Sequence, residues 1–131
     1  MDRLFLDANV LFSAVYQENS GLRRLWELED VELVTSAYTF EEARPNLDAD
    51  EQLERLQGLV RAIDLVPESA VELPLGVELS EKDIPILQAA LAAEASHLIT
   101  GDRRDFGRYL GERLGSVWVM TPRQYLETRE A

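Results

Sequence analysis

The fold is decided by residues 3–16, which read RLFLDANVLFSAVY. The short apolar run before Asp7 is typical of a buried strand, and the residues from Val10 to Tyr16 predict a helix. Asp7 therefore stands where a buried strand ends. A carboxylate in that position is costly unless it is paired or bound to a metal. The stretch predicts an α/β unit that carries a functional acid at the strand end.

The alternation of strand and helix continues and predicts a three-layer α/β/α sandwich around a mostly parallel sheet of four to five strands. Residues 1–131 are expected to form one domain, because the length is that of a single domain. Strands are predicted at Arg3–Leu6, Val31–Thr35, Ile63–Val66, His97–Thr100 and Val117–Val119. Helices are predicted at 10–16, 21–28, 36–47, 50–61 and 104–113, from the Ser80-x-x-Asp83 capping pattern to about Ala95, and from Thr121-Pro122 onward.

Composition limits the chemistry of the protein. The net charge is −12, which argues against non-specific binding of nucleic acid, since that binding needs a basic surface. A nucleic-acid enzyme whose local charge is set by a bound metal is still compatible with this composition. The chain has no cysteine and a single histidine, His97, which makes a disulfide framework impossible and a conventional zinc site unexpected.

No segment approaches the roughly 20 consecutive apolar residues of a membrane span. The first fifteen residues are apolar, but Asp7 and Asn9 interrupt them, and they lack the basic start and small-residue cleavage site of a signal peptide. The protein is therefore expected to be cytoplasmic and not bound to a membrane.

Four acidic residues are placed so that they can meet. Asp7 and Asp102 follow predicted strands, while Glu42 and Asp83 are expected in the first turns of helices. The carboxyl ends of parallel strands converge on one crevice, and several converging carboxylates cannot all stay ionised without a cation. Oxygen ligands of this kind select Mg²⁺ or Mn²⁺. The pattern predicts a metal site that activates water against a phosphodiester.

Each of these residues also has an ordinary structural interpretation. Asp83 suits a helix N-terminus, and Asp102 beside Gly101 suits a turn. Glu42 could be a solvated surface charge, and helical period does not decide between Glu42 and its neighbour Glu41. Arginine side chains match phosphate oxygens but serve surface ion pairs equally well. The arginines in question are Arg103, Arg104 and Arg108.

Four motifs in order give the chain a resemblance to the PIN-domain ribonucleases, close to the VapC-like toxins of bacterial toxin–antitoxin pairs. The resemblance covers the chain from Leu4 to about Val119. The motifs are Leu6-Asp7-Ala8-Asn9-Val10-Leu11, Ser36 with Glu42, Asp83-Ile84-Pro85-Ile86-Leu87 with Ala89-Ala90, and Leu98-Ile99-Thr100-Gly101-Asp102-Arg103-Arg104-Asp105-Phe106.

The resemblance implies a divalent-metal endoribonuclease. By it, the acidic quartet is Asp7, Glu42, Asp83 and Asp102, with Asp105 as an auxiliary acid. Asn9, Ser36 and Thr100 fall at polar positions that support such sites. The metal ion is expected on Asp7, Asp83 and Asp102, and an RNA strand is expected to approach past Arg103, Arg104 and Arg108. An antitoxin and a homodimer are the expected protein partners, with the apolar stretch Val10–Leu28, including Phe12, Tyr16 and Trp26, as the contact.

A catalytically inactive PIN-like module that binds protein or RNA as a scaffold is the alternative; the presence of all four acids favours catalysis. Other acidic α/β proteins fit less well. A phosphatase with an aspartyl nucleophile would have Asp where the chain has Asn9. A phospho-accepting receiver domain would have a lysine closing its last strand, but Lys82 lies outside any predicted strand. A mononucleotide fold would have a glycine-rich turn after the first strand, and residues 7–10 contain no glycine.

Overall fold

The computed structural model describes residues 1–16, 21–43 and 50–130 and arranges them around one sheet. The strands are β1 (Asp2–Leu6), β2 (Val31–Ser36), β3 (Asp64–Val66), β4 (His97–Ile99), β5 (Arg113–Leu114) and β6 (Val117–Met120). The helices are α1 (Ala8–Tyr16), α2 (Arg24–Glu27), α3 (Ala37–Ala43), α4 (Asp50–Val60), α5 (Ile84–Ala92) and α6 (Pro122–Glu130).

The sheet order is β3-β2-β1-β4-β6-β5, so the first strand of the chain lies near the middle. β1 pairs in parallel with β2 and β4, β2 with β3, and β4 with β6; β5 pairs antiparallel with β6. Because β1, β2, β4 and β6 run in the same direction, their carboxyl ends lie along one edge of the sheet. This edge is called the carboxyl edge below.

Alternation along each strand sends side chains to the two faces of the sheet and builds two cores. Leu4 and Leu6 pack into one core with residues of α1, α4 and α6. Phe5, between them, packs into the other core with α5 and the segment around Phe106. All three β1 side chains are fully buried. The predicted mostly parallel sheet with helices on both faces is confirmed.

The sheet has six strands instead of the expected four to five, and the predicted helix at 104–113 is wrong. That segment forms turns, a 3-10 helix at Gly107–Tyr109 and the short strand β5. Gly111 lies at φ +85, a backbone conformation that a helix does not contain. Its N–H donates to the Val119 carbonyl oxygen at 2.7 Å, and Val119 N–H donates to the Glu112 carbonyl oxygen at 2.9 Å. The segment is therefore bound to β6.

The boundaries of the other helices differ less from the predicted ones. The predicted helix at 21–28 is a 3-10 helix at Gly21–Arg23 followed by α2. The end of the predicted helix at 36–47 lies outside the described residues. At α6, the Thr121 hydroxyl accepts a hydrogen bond from Gln124 N–H at 3.1 Å, and Gln124 Oε1 accepts one from Thr121 N–H at 2.9 Å. This reciprocal pair is a capping box, and the helix predicted from Thr121-Pro122 onward is confirmed.

Across the described residues, none of the helices combines the length and the apolar character that a membrane span requires.

Candidate active site

Asp7 directly follows β1 at the carboxyl edge. Its backbone N–H donates to the Ile99 carbonyl oxygen at 3.0 Å, which fixes it against the end of β4. Its carboxylate accepts three hydrogen bonds: Ala8 N–H to Oδ1 at 2.7 Å, the Thr100 hydroxyl to Oδ2 at 2.7 Å, and Asn9 Nδ2 to Oδ2 at 3.3 Å. The residue is only 3% exposed. Both carboxylate oxygens are therefore held in place within a nearly dry environment.

The turn after β4 is tied to Asp7 through Asn9 and Thr100. Asn9 Oδ1 accepts the Gly101 N–H at 2.7 Å, and the Thr100 hydroxyl oxygen accepts the Asp102 N–H at 3.0 Å. A Cβ on Gly101 would lie 3.3 Å from Asn9 Oδ1, so a side chain there would crowd this contact. Asn9 and Thr100 thus position two loops of the site.

Asp102 shapes the same turn with its own side chain. Its Oδ1 accepts the backbone N–H groups of Arg104 and Asp105, each at 3.0 Å. This is the local side-chain-to-backbone bonding that favours aspartate in turns. The turn places Asp105 beside Asp102 and leads the chain on toward Phe106, which is fully buried.

Asp83 lies immediately before α5 and is 2% exposed. The Ser80 hydroxyl donates to Asp83 Oδ2 at 2.6 Å, and Asp83 makes no side-chain cap to the helix. The Ser80-x-x-Asp83 pattern therefore closes a turn ahead of the helix, which begins at Ile84 and not at Ser80 as the capping pattern predicts. The Asp83 carboxyl is left to face the site.

The expectation that Glu42 lies in the first turn of its helix is wrong. Glu42 is the sixth residue of α3 as described. It is half-buried, whereas Glu41 is exposed. Ser36, just before α3, is fully buried; its hydroxyl accepts the Thr39 N–H at 3.1 Å and contacts the Thr39 hydroxyl at 2.8 Å. Ser36 therefore fixes the start of the helix that carries Glu42.

A cavity of about 250 Å³ joins these elements and is called the acid cavity below. All four predicted acids of the quartet line it, from the ends of β1 and β4 and from α3 and the start of α5. Glu42 is among the lining residues and Glu41 is not. Its polar lining consists of Asp7, Asn9, Glu42, Lys82, Asp83 and Asp102.

Three carboxyls of the acid cavity, those of Asp7, Glu42 and Asp83, have a raised pKa and therefore resist ionisation. Burial raises the pKa of Asp7 to about 6, with the charges of Glu42 and Asp102 adding to the rise and the hydrogen bonds from Thr100 and Ala8 opposing it. Burial likewise raises the pKa of Asp83 to about 6, with the neighbouring Asp105 adding to the rise. Burial also raises the pKa of Glu42. A cation in the cavity would relieve this cost.

The donor set fits a hard divalent cation. Asp83, Asp102 and Asp105 each offer one carboxylate oxygen, and these oxygens lie within 4.8 Å of one another. Oxygen-only donors of this kind suit Mg²⁺ and Mn²⁺. This group of three carboxylates differs from the expected metal ligands Asp7, Asp83 and Asp102. Asp105 takes the place of Asp7 in the group. Asp7 lines the acid cavity together with Asp83 and Asp102.

The three arginines predicted to contact substrate lie at two places. Arg103 and Arg104 are exposed on the turn after β4. Arg108 Nη1 lies 3.6 Å from Glu78 Oε2. The central carbon of the Arg108 guanidinium, Cζ, lies 5.6 Å from the centre of the Tyr109 ring. Arg108 is not part of the acid cavity lining.

Sequence reasoning missed Lys82, the single lysine of the chain, which lines the acid cavity. The Tyr38 hydroxyl donates to the Lys82 carbonyl oxygen at 2.9 Å and ties this loop to α3. Lys82 could have been predicted from its position directly before Asp83, because two adjacent residues of a turn lie close to the same cavity.

Comparison with known proteins agrees with the geometry. A family model described as the PIN domain matches residues 3–104. Two solved structures share the fold: VapBC2 from Rickettsia felis bound to a promoter DNA fragment (TM-score 0.68, 14% identity, 91% of this chain and 98% of that chain), and FitAB bound to the IR36 DNA fragment (TM-score 0.54, 20% identity, 91% and 94%). No curated protein matches the sequence significantly.

Proposed function

Because the chain belongs to the PIN domain family, a family of nucleases, we propose that it is an endoribonuclease that hydrolyses RNA phosphodiester bonds with Mg²⁺ or Mn²⁺. The observation that carries the proposal is the convergence of Asp7, Glu42, Asp83 and Asp102 on one cavity. Asp105 serves as the auxiliary acid, since its carboxylate lies beside those of Asp83 and Asp102.

The ion would be held by Asp83 and Asp102, with Asp7 and Asp105 completing the ligand set. A divalent ion in this place would supply positive charge for phosphate oxygens and would lower the pKa of nearby water. The protein contributes preorganisation. Thr100 and Asn9 fix one oxygen of Asp7, and Ser80 fixes one oxygen of Asp83. These carboxylates therefore keep their orientation before substrate arrives.

Glu42 is assigned as the base, because burial raises its pKa and makes it a stronger proton acceptor than a solvated glutamate. Its carboxylate takes a proton from the attacking water as the water oxygen bonds to phosphorus. The bond from phosphorus to the leaving ribose oxygen breaks, and solvent protonates that oxygen. Lys82, in the same cavity, offsets the charge of the phosphate.

Cleavage of RNA tests the proposal directly. Total cellular RNA is incubated with the parent chain and with Asp7→Asn, with and without Mn²⁺, and product ends are sequenced. The parent is expected to cleave only with the metal, and Asp7→Asn is expected to lose at least about a hundredfold in rate. Circular dichroism of the variant controls for folding. A folded Asp7→Asn that cleaves as fast as the parent would contradict the assignment.

An antitoxin protein and a second copy of the chain are the proposed protein partners, in the cytoplasm. The support is the shared fold with the VapBC2 and FitAB structures, together with an aromatic pair on α1. Phe12 and Tyr16 have ring centres 5.3 Å apart, and Tyr16 is 54% exposed. Trp26 is used internally instead, since its Nε1 donates to the Leu59 carbonyl oxygen at 3.0 Å. Sedimentation of the parent chain tests the dimer.

A further inference from the structure

A groove adjoins the acid cavity on the other side of Asn9. It consists of two neighbouring cavities of about 280 and 310 Å³, which share Leu22 and Arg123 in their lining. Asn9 lines both the acid cavity and the nearer of these two cavities. The three spaces therefore follow one another along the protein surface. The two new ones together are called the arginine groove.

The charge of the arginine groove is opposite to that of the chain as a whole. Arg103 and Arg123 line the nearer cavity, and no described residue lining that cavity is acidic. Arg24 and Arg123 line the farther cavity, where Glu127 is the one acid among the described lining residues. In a chain with 25 acidic and 13 basic residues, three arginines against one carboxylate make this a locally basic surface.

The fold brings these arginines together from distant parts of the sequence. Arg103 follows β4, Arg123 lies in the first turn of α6 after β6, and Arg24 opens α2. Both β4 and β6 end at the carboxyl edge, so Arg103 and Arg123 lie on the same side of the sheet as the acids. The exposed Ser13 on α1 adds a hydroxyl to the lining between them.

We propose that the arginine groove carries the backbone of a single-stranded RNA that passes through the acid cavity, with its phosphates on Arg103, Arg123 and Arg24. This inference rests on the proposed function and adds the path of the substrate to it. Guanidinium groups bind phosphate oxygens in a bidentate manner. The groove would also explain how a chain with a net charge of −12 admits RNA, because the strand meets arginines before it meets carboxylates.

Glu127 is the acidic partner of Arg123 in the groove. Its Oε1 lies 3.0 Å from Arg123 Nε, and both side chains are largely exposed. Exposed pairs of this kind are weak, so a phosphate can replace Glu127 as the partner of Arg123. Removal of the Glu127 charge is therefore expected to strengthen RNA binding, while removal of the Arg123 charge weakens it.

The test measures binding of a fluorescent single-stranded RNA of about 12 nucleotides, by anisotropy, in millimolar Mn²⁺ and in an Asp7→Asn background that prevents cleavage. Arg123→Gln and Arg103→Gln are each expected to weaken binding about three- to tenfold. Each is also expected to reduce the slope of log affinity against log salt by about 0.7, the value for one lost phosphate contact on a single strand. Glu127→Gln is expected to tighten binding.

Arg61→Gln is the matched control. It makes the same change in net charge, but Arg61 is an exposed residue between α4 and β3, at the opposite edge of the sheet. It is expected to bind RNA as the Asp7→Asn background does. Thermal melting of each variant verifies folding.

The groove is refuted if Arg123→Gln and Arg103→Gln bind RNA no more weakly than Arg61→Gln, or if the background chain binds no RNA; a protein partner then becomes the occupant to test. The cleavage assay separates this inference from the proposed function. A parent that cleaves RNA while its groove variants match the control contradicts the groove alone. A chain that binds RNA through the groove and never cleaves it contradicts the nuclease assignment alone.

Discussion

One hydroxyl group links the two strand ends that carry acids of the cavity. Thr100 donates to Asp7 Oδ2 and accepts the Asp102 N–H, at 2.7 and 3.0 Å. The side chain itself is fully buried. Because a buried hydrogen bond has no water to replace it, loss of this hydroxyl would remove one hydrogen bond from the Asp7 carboxylate and one from the Asp102 backbone at the same time. The relative position of Asp7 and Asp102 therefore depends on a residue with no charge.

Two adjacent glutamates give a residue-scale prediction with an internal control. Glu42→Gln is expected to lower the rate of RNA cleavage about a hundredfold or more, since an amide cannot accept the proton of the attacking water. Glu41→Gln makes the same chemical change on the exposed side of α3 and is expected to keep the parent rate. Initial rates on one RNA oligonucleotide in Mn²⁺ provide the measurement. Equal losses in both variants would show that the choice between them is wrong.

The sequence predicts the identity of the acids better than their surroundings. Asp7 and Asp102 follow strongly apolar runs, so their positions at strand ends follow from local pattern. Glu42 could be separated from Glu41 only by resemblance, because both occupy consecutive positions whose orientation depends on how α3 packs. Lys82 and Asp105 reach the site through turns, whose geometry short-range patterns describe poorly.

At the scale of elements, the hairpin of β5 and β6 forms one edge of the sheet. The segment that leads into β5 follows the turn that carries Asp102 and Asp105. Its backbone hydrogen bonds to Val119 of β6 fix the far end of that turn. Gly111 is the residue that permits this path, at φ +85. The hairpin also provides the antiparallel edge that a purely parallel arrangement would lack.

Gly111 and Gly107 make a matched pair for testing this element. Gly111→Ala is expected to destabilise the fold by about 1–2 kcal/mol, because an L side chain is strained in the left-handed region. Gly107→Ala is expected to cost far less, since its backbone has no positive φ and an added Cβ meets no atom within 4 Å. Urea unfolding at equilibrium compares the two. A loss of stability that is the same at both positions would contradict the role given to Gly111.

Most elements are predictable from local pattern, and the hairpin shows where local pattern fails. The five predicted strands all exist, since each is an apolar run bounded by polar or turn residues. β5 is only two residues long and carries no periodic signal. Gly107 and Gly111 argued against a helix over 104–113, because glycine is unfavourable in the interior of a helix.

At the scale of the whole molecule, a net charge of −12 is distributed unevenly. The acids of the cavity and the arginines of the groove adjoin each other along the carboxyl edge. Composition averages these regions and argues only against non-specific nucleic-acid binding. The arginine groove could not be predicted from sequence, because residues 24, 103 and 123 meet only after β4 and β6 have been placed in the sheet.

Metal and pH should act on global stability through the same carboxyls. Folded Asp7 and Asp83 bind protons up to about pH 6, whereas unfolded aspartate does so only to about pH 4. The folded state therefore holds more protons in this window, and metal-free stability is expected to fall as the pH rises from about 4 to 6. Above that window, Mg²⁺ or Mn²⁺ is expected to raise Tm by about 5 °C or more.

Differential scanning fluorimetry with chelator or Mn²⁺, at several pH values, measures both effects. In Asp7→Asn the fall in metal-free stability between pH 4 and 6 is expected to be smaller, and so is the rise in Tm with Mn²⁺. Asp64→Asn, on the exposed start of β3, controls for the loss of one charge. A Tm that is independent of both metal and pH would argue against a shared carboxylate site.

The central place of β1 determines when the acid cavity can form as the chain is made. Asp7 is synthesised before the strand and turn that complete its surroundings, because Thr100 follows it in the chain by 93 residues. Throughout most of translation the nascent polypeptide therefore holds only part of the site, since domains fold as units once their residues have emerged.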